Sequence, residues 1–141
     1  MTKDFVIFQG VLLMKQNSRR PTDAELTILQ VLWDRGPSTV REVYRVLNSD
    51  KEIGYTTVLK LMQIMTAKGL VERDESRRPQ LYRSCSPREL TQRQLIKDLA
   101  DRAFGGSAKR LVMQALEGKK ASPNELAQIE KLLNKLERGE K

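Results

Sequence analysis

A chain of 141 residues has room for one domain, or for one small domain with an appendage. Its formal charge of +8 at pH 7 implies affinity for a polyanion, either nucleic acid or an anionic membrane surface, without choosing between them. With no histidine and a single cysteine, Cys85, the chain cannot build a Ser-His or Cys-His pair, a His-containing zinc site, a thiolate cluster or an intrachain disulfide framework.

No pair of carboxylates has a spacing that argues for a catalytic site. The expectation is therefore a protein that is not an enzyme and that uses no metal and no cofactor. Aromatics make up 5% of the chain, so its core must be aliphatic and a base-stacking platform would be poor. The missing disulfides suit a reducing, cytoplasmic setting.

The chain opens MTKDFVIFQGVLLMKQNSRRP. The apolar stretch from Phe5 to Met14 falls short of the ~20 residues a membrane span needs. Asp4 occupies the would-be basic region of a signal peptide, and no small-residue cleavage site follows before Asn17-Ser18-Arg19-Arg20. Residues 1–20 are expected to be a poorly ordered extension, with Met14 an alternative translation start to Met1.

Thr22-Asp23-Ala24-Glu25 fits a capping box, opening a helix to about Asp34 with Leu26, Leu29, Leu32 and Trp33 toward a core. Gly36-Pro37 stops it. Ser38 or Thr39 caps a second helix whose Val40, Val43 and Leu47 share a face, ended by Asn48-Ser49-Asp50. A loop through Gly54 leads into YTTVLKLMQIMTAK, where Val58, Leu61, Met62 and Met65 recur with the period of one helix face. Gly69 stands where a left-handed residue ends that helix. The period then changes: Leu70-Val71-Glu72-Arg73 and Gln80-Leu81-Tyr82-Arg83 read as short strands around the polar turn Asp74–Pro79. Three helices and a hairpin over residues 21–85 describe a winged helix-turn-helix.

The remainder, residues 86–141, reads as helical. Ser86-Pro87-Arg88-Glu89 is a second capping box, for a helix with Leu90, Leu95 and Leu99 that reaches Phe104 before Gly105-Gly106. Ser107 starts a shorter helix with Leu111, Val112, Ala115 and Leu116. Ser122-Pro123-Asn124-Glu125 opens a last one with Leu126, Ile129, Leu133 and Leu136. These helices hold more apolar residues than they could hide alone, so they are expected to fold against a second copy. The fold class is mainly α, a winged helix followed by a helical dimerisation domain.

The third helix carries Thr56, Lys60, Gln63 and Ala67 opposite its apolar stripe, and residues 55–68 contain no carboxylate. The DNA major groove, about 12 Å wide, admits one helix and rewards such a face: lysine reaches guanine O6/N7 or a phosphate, and threonine offers hydroxyls to bases or phosphates and methyls to thymine. Tyr55, Thr56, Thr57, Lys60 and Gln63 are the candidate contacts. Leu59 and Ile64 flank this face, and either could pack under the wing or contact a thymine methyl; core contact is the expectation. The start of the second helix, with Ser38, Thr39 and Arg41, is a candidate phosphate seat. Arg77 and Arg78 at the hairpin tip can reach backbone phosphates or the minor groove. Each group also has a structural alternative, a solvated turn for the arginines and an ordinary exposed face for Thr56, Thr57 and Lys60. Cys85 is expected to be a buried small hydrophobe, and Trp33 a packing residue.

PTDAELTILQVLWDRGPSTVREV, GYTTVLKLMQIMTAKGLVER, QLYRSCSPRE and FGGSAKRLV, in this order and spacing, resemble the BlaI/MecI/CopY family of bacterial repressors from about residue 21 to 136. The resemblance implies a homodimer on an inverted-repeat operator in double-stranded DNA. It places Thr56, Thr57 and Lys60 in the recognition helix and Arg77 and Arg78 in the wing. A dimer interface is expected from Leu90, Leu95, Leu99, Phe104, Leu111, Val112, Leu126, Ile129 and Leu133. The cysteine-rich hook of copper-responsive members is absent. Penicillinase-type members are relieved by cleavage triggered by a membrane sensor–peptidase; the matching bond here, Gln114-Ala115 in LVMQALE, is not the family's usual pair. The other readings are a winged-helix protein–protein adaptor, a non-specific nucleic-acid-binding protein, and a small-molecule sensor that would need a pocket.

Overall fold

In the computed structural model, the described residues are 20–50, 52–118 and 120–139. The expectations for the N-terminal extension, Arg20 apart, fall outside them. The elements run α1 (Asp23–Arg35), α2 (Val40–Asp50), α3 (Tyr55–Lys68), β1 (Val71–Asp74), β2 (Leu81–Ser84), α4 (Arg88–Ala103), α5 (Ala108–Gly118) and α6 (Pro123–Glu137). The chain divides into two compact units within α4, after Thr91.

The first unit is a winged helix-turn-helix. Its α1 starts as the local signals predict: the Glu25 N–H donates to Thr22 Oγ1 (3.2 Å) and the Thr22 N–H to Glu25 Oε1 (2.9 Å). These bonds satisfy first-turn donors that have no partner inside the helix. At the far end of α3, Gly69 takes the left-handed backbone that β-carbon sterics deny most residues (φ 82°), and its N–H caps the last turn. The strands pair antiparallel in the register Val71↔Ser84 to Asp74↔Leu81, each strand one residue later than the sequence pattern suggests.

One aliphatic core joins these elements. Ile28, Leu29, Val31 and Leu32 of α1 meet Val40, Val43 and Leu47 of α2, Val58, Met62 and Met65 of α3, and Val71 and Tyr82 of the hairpin. Ile28 and Val31 are buried although the expected α1 face runs through Leu26 and Trp33, which are only partly covered. Three elements pack around α1, so it buries a wider arc than one stripe.

Glu25 does more than cap. It is 1% exposed, and its Oε1 also accepts from Lys68 Nζ at 2.8 Å, tying the start of α1 to the last turn of α3. Glu25→Ala removes the bond from the Thr22 N–H, leaves the backbone bond to Thr22 Oγ1 in place, and strands the Lys68 ammonium. The expected loss is about 2–4 kcal/mol, from one helix cap and one charge-assisted bond. Urea unfolding would show it as a lower midpoint at unchanged slope; a midpoint shift worth under about 0.5 kcal/mol would place this pair with solvent-screened ion pairs instead.

Trp33 packs against the core, and its indole N–H donates to Ser84 Oγ (3.0 Å) and to the Ser86 carbonyl (3.2 Å). Arg88 lies over its ring at 5.8 Å and pairs with Asp34. This explains a departure at the start of α4, where the sequence pattern has Ser86 as the cap and Pro87 in the first turn. Instead α4 begins at Arg88 with the Thr91 N–H on the Pro87 carbonyl (3.3 Å), while the Ser86 carbonyl serves Trp33 and the Ser84 hydroxyl.

In the second unit α4 ends on a Phe104–Ser107 turn. Gly105 and Gly106 both have positive φ there (57° and 82°), and the Gly106 N–H closes onto the Ala100 carbonyl at 2.9 Å. Ser107 caps α5 through the Arg110 N–H (3.1 Å), and Ser122 with Glu125 forms the expected capping box on α6 with Pro123 in its first turn. Neither α5 nor α6 buries a single residue in the isolated chain.

Candidate nucleic-acid interface

The loop Gly36–Thr39 fixes the start of α2, and it uses Ser38 differently from expectation. Ser38 is 1% exposed; its N–H donates to the Tyr82 carbonyl (2.9 Å) and its carbonyl accepts from the Tyr82 N–H (2.8 Å), an isolated antiparallel bridge on the outer edge of β2. Its hydroxyl donates to the Gly36 carbonyl at 2.9 Å. With every polar group committed and the side chain buried, Ser38 cannot seat a phosphate. That part of the expected contact set is corrected.

Thr39 is the cap of α2. Its Oγ1 accepts from the Glu42 N–H (3.1 Å), and its N–H donates to Glu42 Oε1 (2.9 Å). The Thr39 N–H and then its hydroxyl hold the Glu42 carboxyl below the ordinary carboxylate value, against the opposing effect of burial and with lesser pulls from the Arg35 guanidinium. The Glu42 carboxylate takes the Thr39 N–H, and Arg41 stands exposed in the same turn of α2. A group with a lowered folded pKa stabilises above its unfolded value and loses that contribution as pH falls through the folded one. Thr39→Ala should cost about 1 kcal/mol at neutral pH. The gap from wild type, followed by urea unfolding, should narrow as the pH drops below the usual carboxylate range.

Arg41 is exposed and stacks its guanidinium on the Tyr55 ring at 5.1 Å, while Tyr44 meets the same ring edge-on, with centroids 5.7 Å apart at 80°. Tyr55 is the first residue of α3, so this stack places a cation at the N-terminus of the third helix. A guanidinium on an aromatic face keeps its charge and its in-plane donors, and loses little further freedom on binding.

Along α3, Val58, Met62 and Met65 are buried while Thr56, Thr57, Lys60, Gln63 and Ala67 are exposed, and Tyr55 is partly so. Leu59 packs against the core as expected. Ile64 does not: it is 39% exposed and lies outside the core cluster, on the open face with Lys60 and Thr57. Its position seven residues after Thr57 carries that information; the apolar neighbours Leu61, Met62 and Met65 hide it.

The wing tip is exposed from Arg73 through Pro79. Its acids are largely occupied: Glu72 pairs with Arg83, Glu75 with Arg73 (3.0 Å), and Asp74 accepts from the Ser76 N–H at 3.0 Å and from its hydroxyl. Those Ser76 bonds, with a smaller pull from Arg77, hold the Asp74 carboxyl below its ordinary value. Arg77 and Arg78 have no ion-pair partner among the described residues, and neither does Lys60.

Cys85 is exposed, contrary to expectation. Strand alternation turns Tyr82 inward, so Arg83 and Cys85 face out. Partial desolvation and then the Glu72 charge push the thiol up, against the pull of Arg83.

The residues expected at a dimer interface divide by cover. Leu90, Leu99, Val112, Leu126 and Leu133 are 42–54% exposed, and Leu95, Phe104, Leu111 and Ile129 are half-buried. Ile96, Met113, Leu116, Leu132 and Leu136 are open as well. Gln114 and Ala115 are exposed within the helical backbone of α5. No helix among the described residues is long and apolar enough to cross a membrane.

A winged helix with a carboxylate-free third helix and wing arginines outside any ion pair of the described residues, followed by a helical domain, defines a class of DNA-binding transcriptional regulator. The chain belongs to the penicillinase repressor family, whose model matches residues 21–135. It is 29% identical over 119 residues to the "Transcriptional regulator BlaI" of Mycobacterium tuberculosis strain CDC 1551 / Oshkosh, covering 83% of this chain and 85% of that one. The BlaI of strain H37Rv matches equally. The protein is thus a transcriptional repressor of this family.

Proposed function

We propose that the protein is a cytoplasmic homodimer that represses transcription by occupying an inverted-repeat operator, without cofactor. Residues 21–85 form its DNA-binding domain and residues 86–141 its dimerisation domain. The single observation that carries the reading is the α3 face: Thr56, Thr57, Lys60 and Gln63 stand exposed with no carboxylate among them, on a helix whose other side is locked into the core. Such a face suits base edges in the major groove. Arg41 on its Tyr55 stack, and Arg77 and Arg78 at the wing tip, supply phosphate contacts that set register. The uncovered apolar residues of α4 to α6 support pairing with a second copy, which presents two α3 helices to the two halves of a palindrome. Relief by cleavage at Gln114-Ala115 requires the α5 turn around that bond to open first, because the bond lies in regular helix.

Selection of random duplexes on the purified chain, with salt titration of the enriched pool, tests this. An enriched inverted repeat with half-sites a whole number of helical turns apart is the expected result. Binding without enrichment would make it a non-specific nucleic-acid binder. A folded dimer that binds no duplex would make it an adaptor.

A further inference from the structure

Ile64 is the large aliphatic residue of α3 that the core leaves exposed. It is 39% exposed, absent from the core and from the half-buried residues packed on it, and follows Lys60 by one helical turn on the open face. A lone exposed isoleucine on a protein surface is ordinary. Its company here is not. Thr57, Lys60, Gln63 and Ala67 surround it on a face with no carboxylate, where every other side chain is small, polar or cationic. An exposed β-branched residue in mid-helix adds little helix propensity and leaves apolar surface in water. The C5-methyl of thymine, the apolar feature a base pair shows in the major groove, is the matching surface.

Resting on the operator-binding reading above, we infer that Ile64 is a specificity residue that selects a thymine in each half-site by contact with its methyl group. Four residues of helix advance about 6 Å, and successive base pairs lie about 3.4 Å apart. The selected thymine therefore falls within about two base pairs of the pair that Lys60 faces.

The test uses the full chain and the duplex that it enriches from a random pool, with each thymine replaced in turn by deoxyuridine, which lacks only the methyl. Burying one methyl corresponds to about a fourfold change in affinity. Wild type is expected to lose about that much at one thymine per half-site, and Ile64→Ala to bind the thymine and deoxyuridine duplexes equally at that position. Ile64→Leu, which keeps an apolar tip, should retain part of the preference. The thermal midpoint of Ile64→Ala should match wild type, as suits an exposed side chain. An enriched duplex at which no thymine methyl matters more to wild type than to Ile64→Ala would overturn the inference while leaving the repressor reading intact. So would an Ile64→Ala variant that melts lower and binds all duplexes proportionately worse, since that marks a packing residue. Failure to enrich any duplex would remove the operator-binding reading and this inference with it.

Discussion

A chain ended after Thr91 is expected to sediment as a monomer and to bind the selected operator about 10²–10⁴ times more weakly than the full chain, because linking two binding modules contributes that range without any new contact. Leu126, Ile129, Leu133 and Leu136 follow one another at intervals of three and four residues, the spacing of a seam between helices. In the isolated chain Leu126, Leu133 and Leu136 are 51–58% exposed, and α5 adds Val112, Met113 and Leu116 at 39–49%. Burying a leucine stabilises by roughly 1.5–3 kcal/mol, so covering these apolar residues with a second copy, as proposed above, would stabilise the pair. The winged helix does not depend on them. Its core cluster lies wholly between Ile28 and Tyr82, and the truncation point spares the Trp33–Ser86 and Asp34–Arg88 contacts. Trp33, the single tryptophan, would report that the shortened chain is folded. Leu133→Glu in the full chain should reproduce the shift by placing charge in the seam. A truncated monomer with undiminished affinity would show that the C-terminal helices do not supply dimerisation.

The elements are legible where their signals are local. Thr22 with Glu25, Gly69, and Ser122 with Pro123 and Glu125 each act within a few residues, and each behaves in the structure as its spacing predicts. What escapes depends on partners far along the chain. Lys68 reaches Glu25 across 43 positions and Trp33 reaches Ser84 across 51, and nothing in either neighbourhood announces the pairing. Ser38 shows the same limit at the candidate site: beside Thr39 it reads as an equal choice of cap, and only the distant Tyr82 decides that it becomes a strand bridge. The open face of α3 is readable because helical period alone separates Thr56, Lys60 and Gln63 from Val58, Met62 and Met65. Ile64 is not, since apolar residues beside a stripe look like part of it. Cys85 lies just past β2, and its exposure follows from the inward turn of Tyr82, which the residues around the cysteine do not announce.

The α3 face and the wing arginines should fail in different ways when altered. Replacing Thr56, Thr57 and Lys60 together by alanine should erase most of the discrimination between operator and random duplex, typically ~10³–10⁷ for specific repressors. Lys60→Ala alone, where Lys60 reads a base, should cost about 1–3 kcal/mol and relax preference at one position of each half-site. None of these side chains is buried or bonded to the core, so the fold has no reason to change. Arg77→Gln or Arg78→Gln, at the proposed phosphate contacts, should weaken all sequences evenly. Each phosphate left without its arginine lowers the log–log salt slope by about 0.9, doubled to about 1.8 by the two protomers of a dimer. Titrating operator and random duplexes against salt therefore separates the two functions in one experiment: the helix substitutions bring the two lines together, and the wing substitutions flatten both. If the triple alanine variant kept the gap between the lines, α3 would not be the reading element and the interface would have to be rebuilt around the wing.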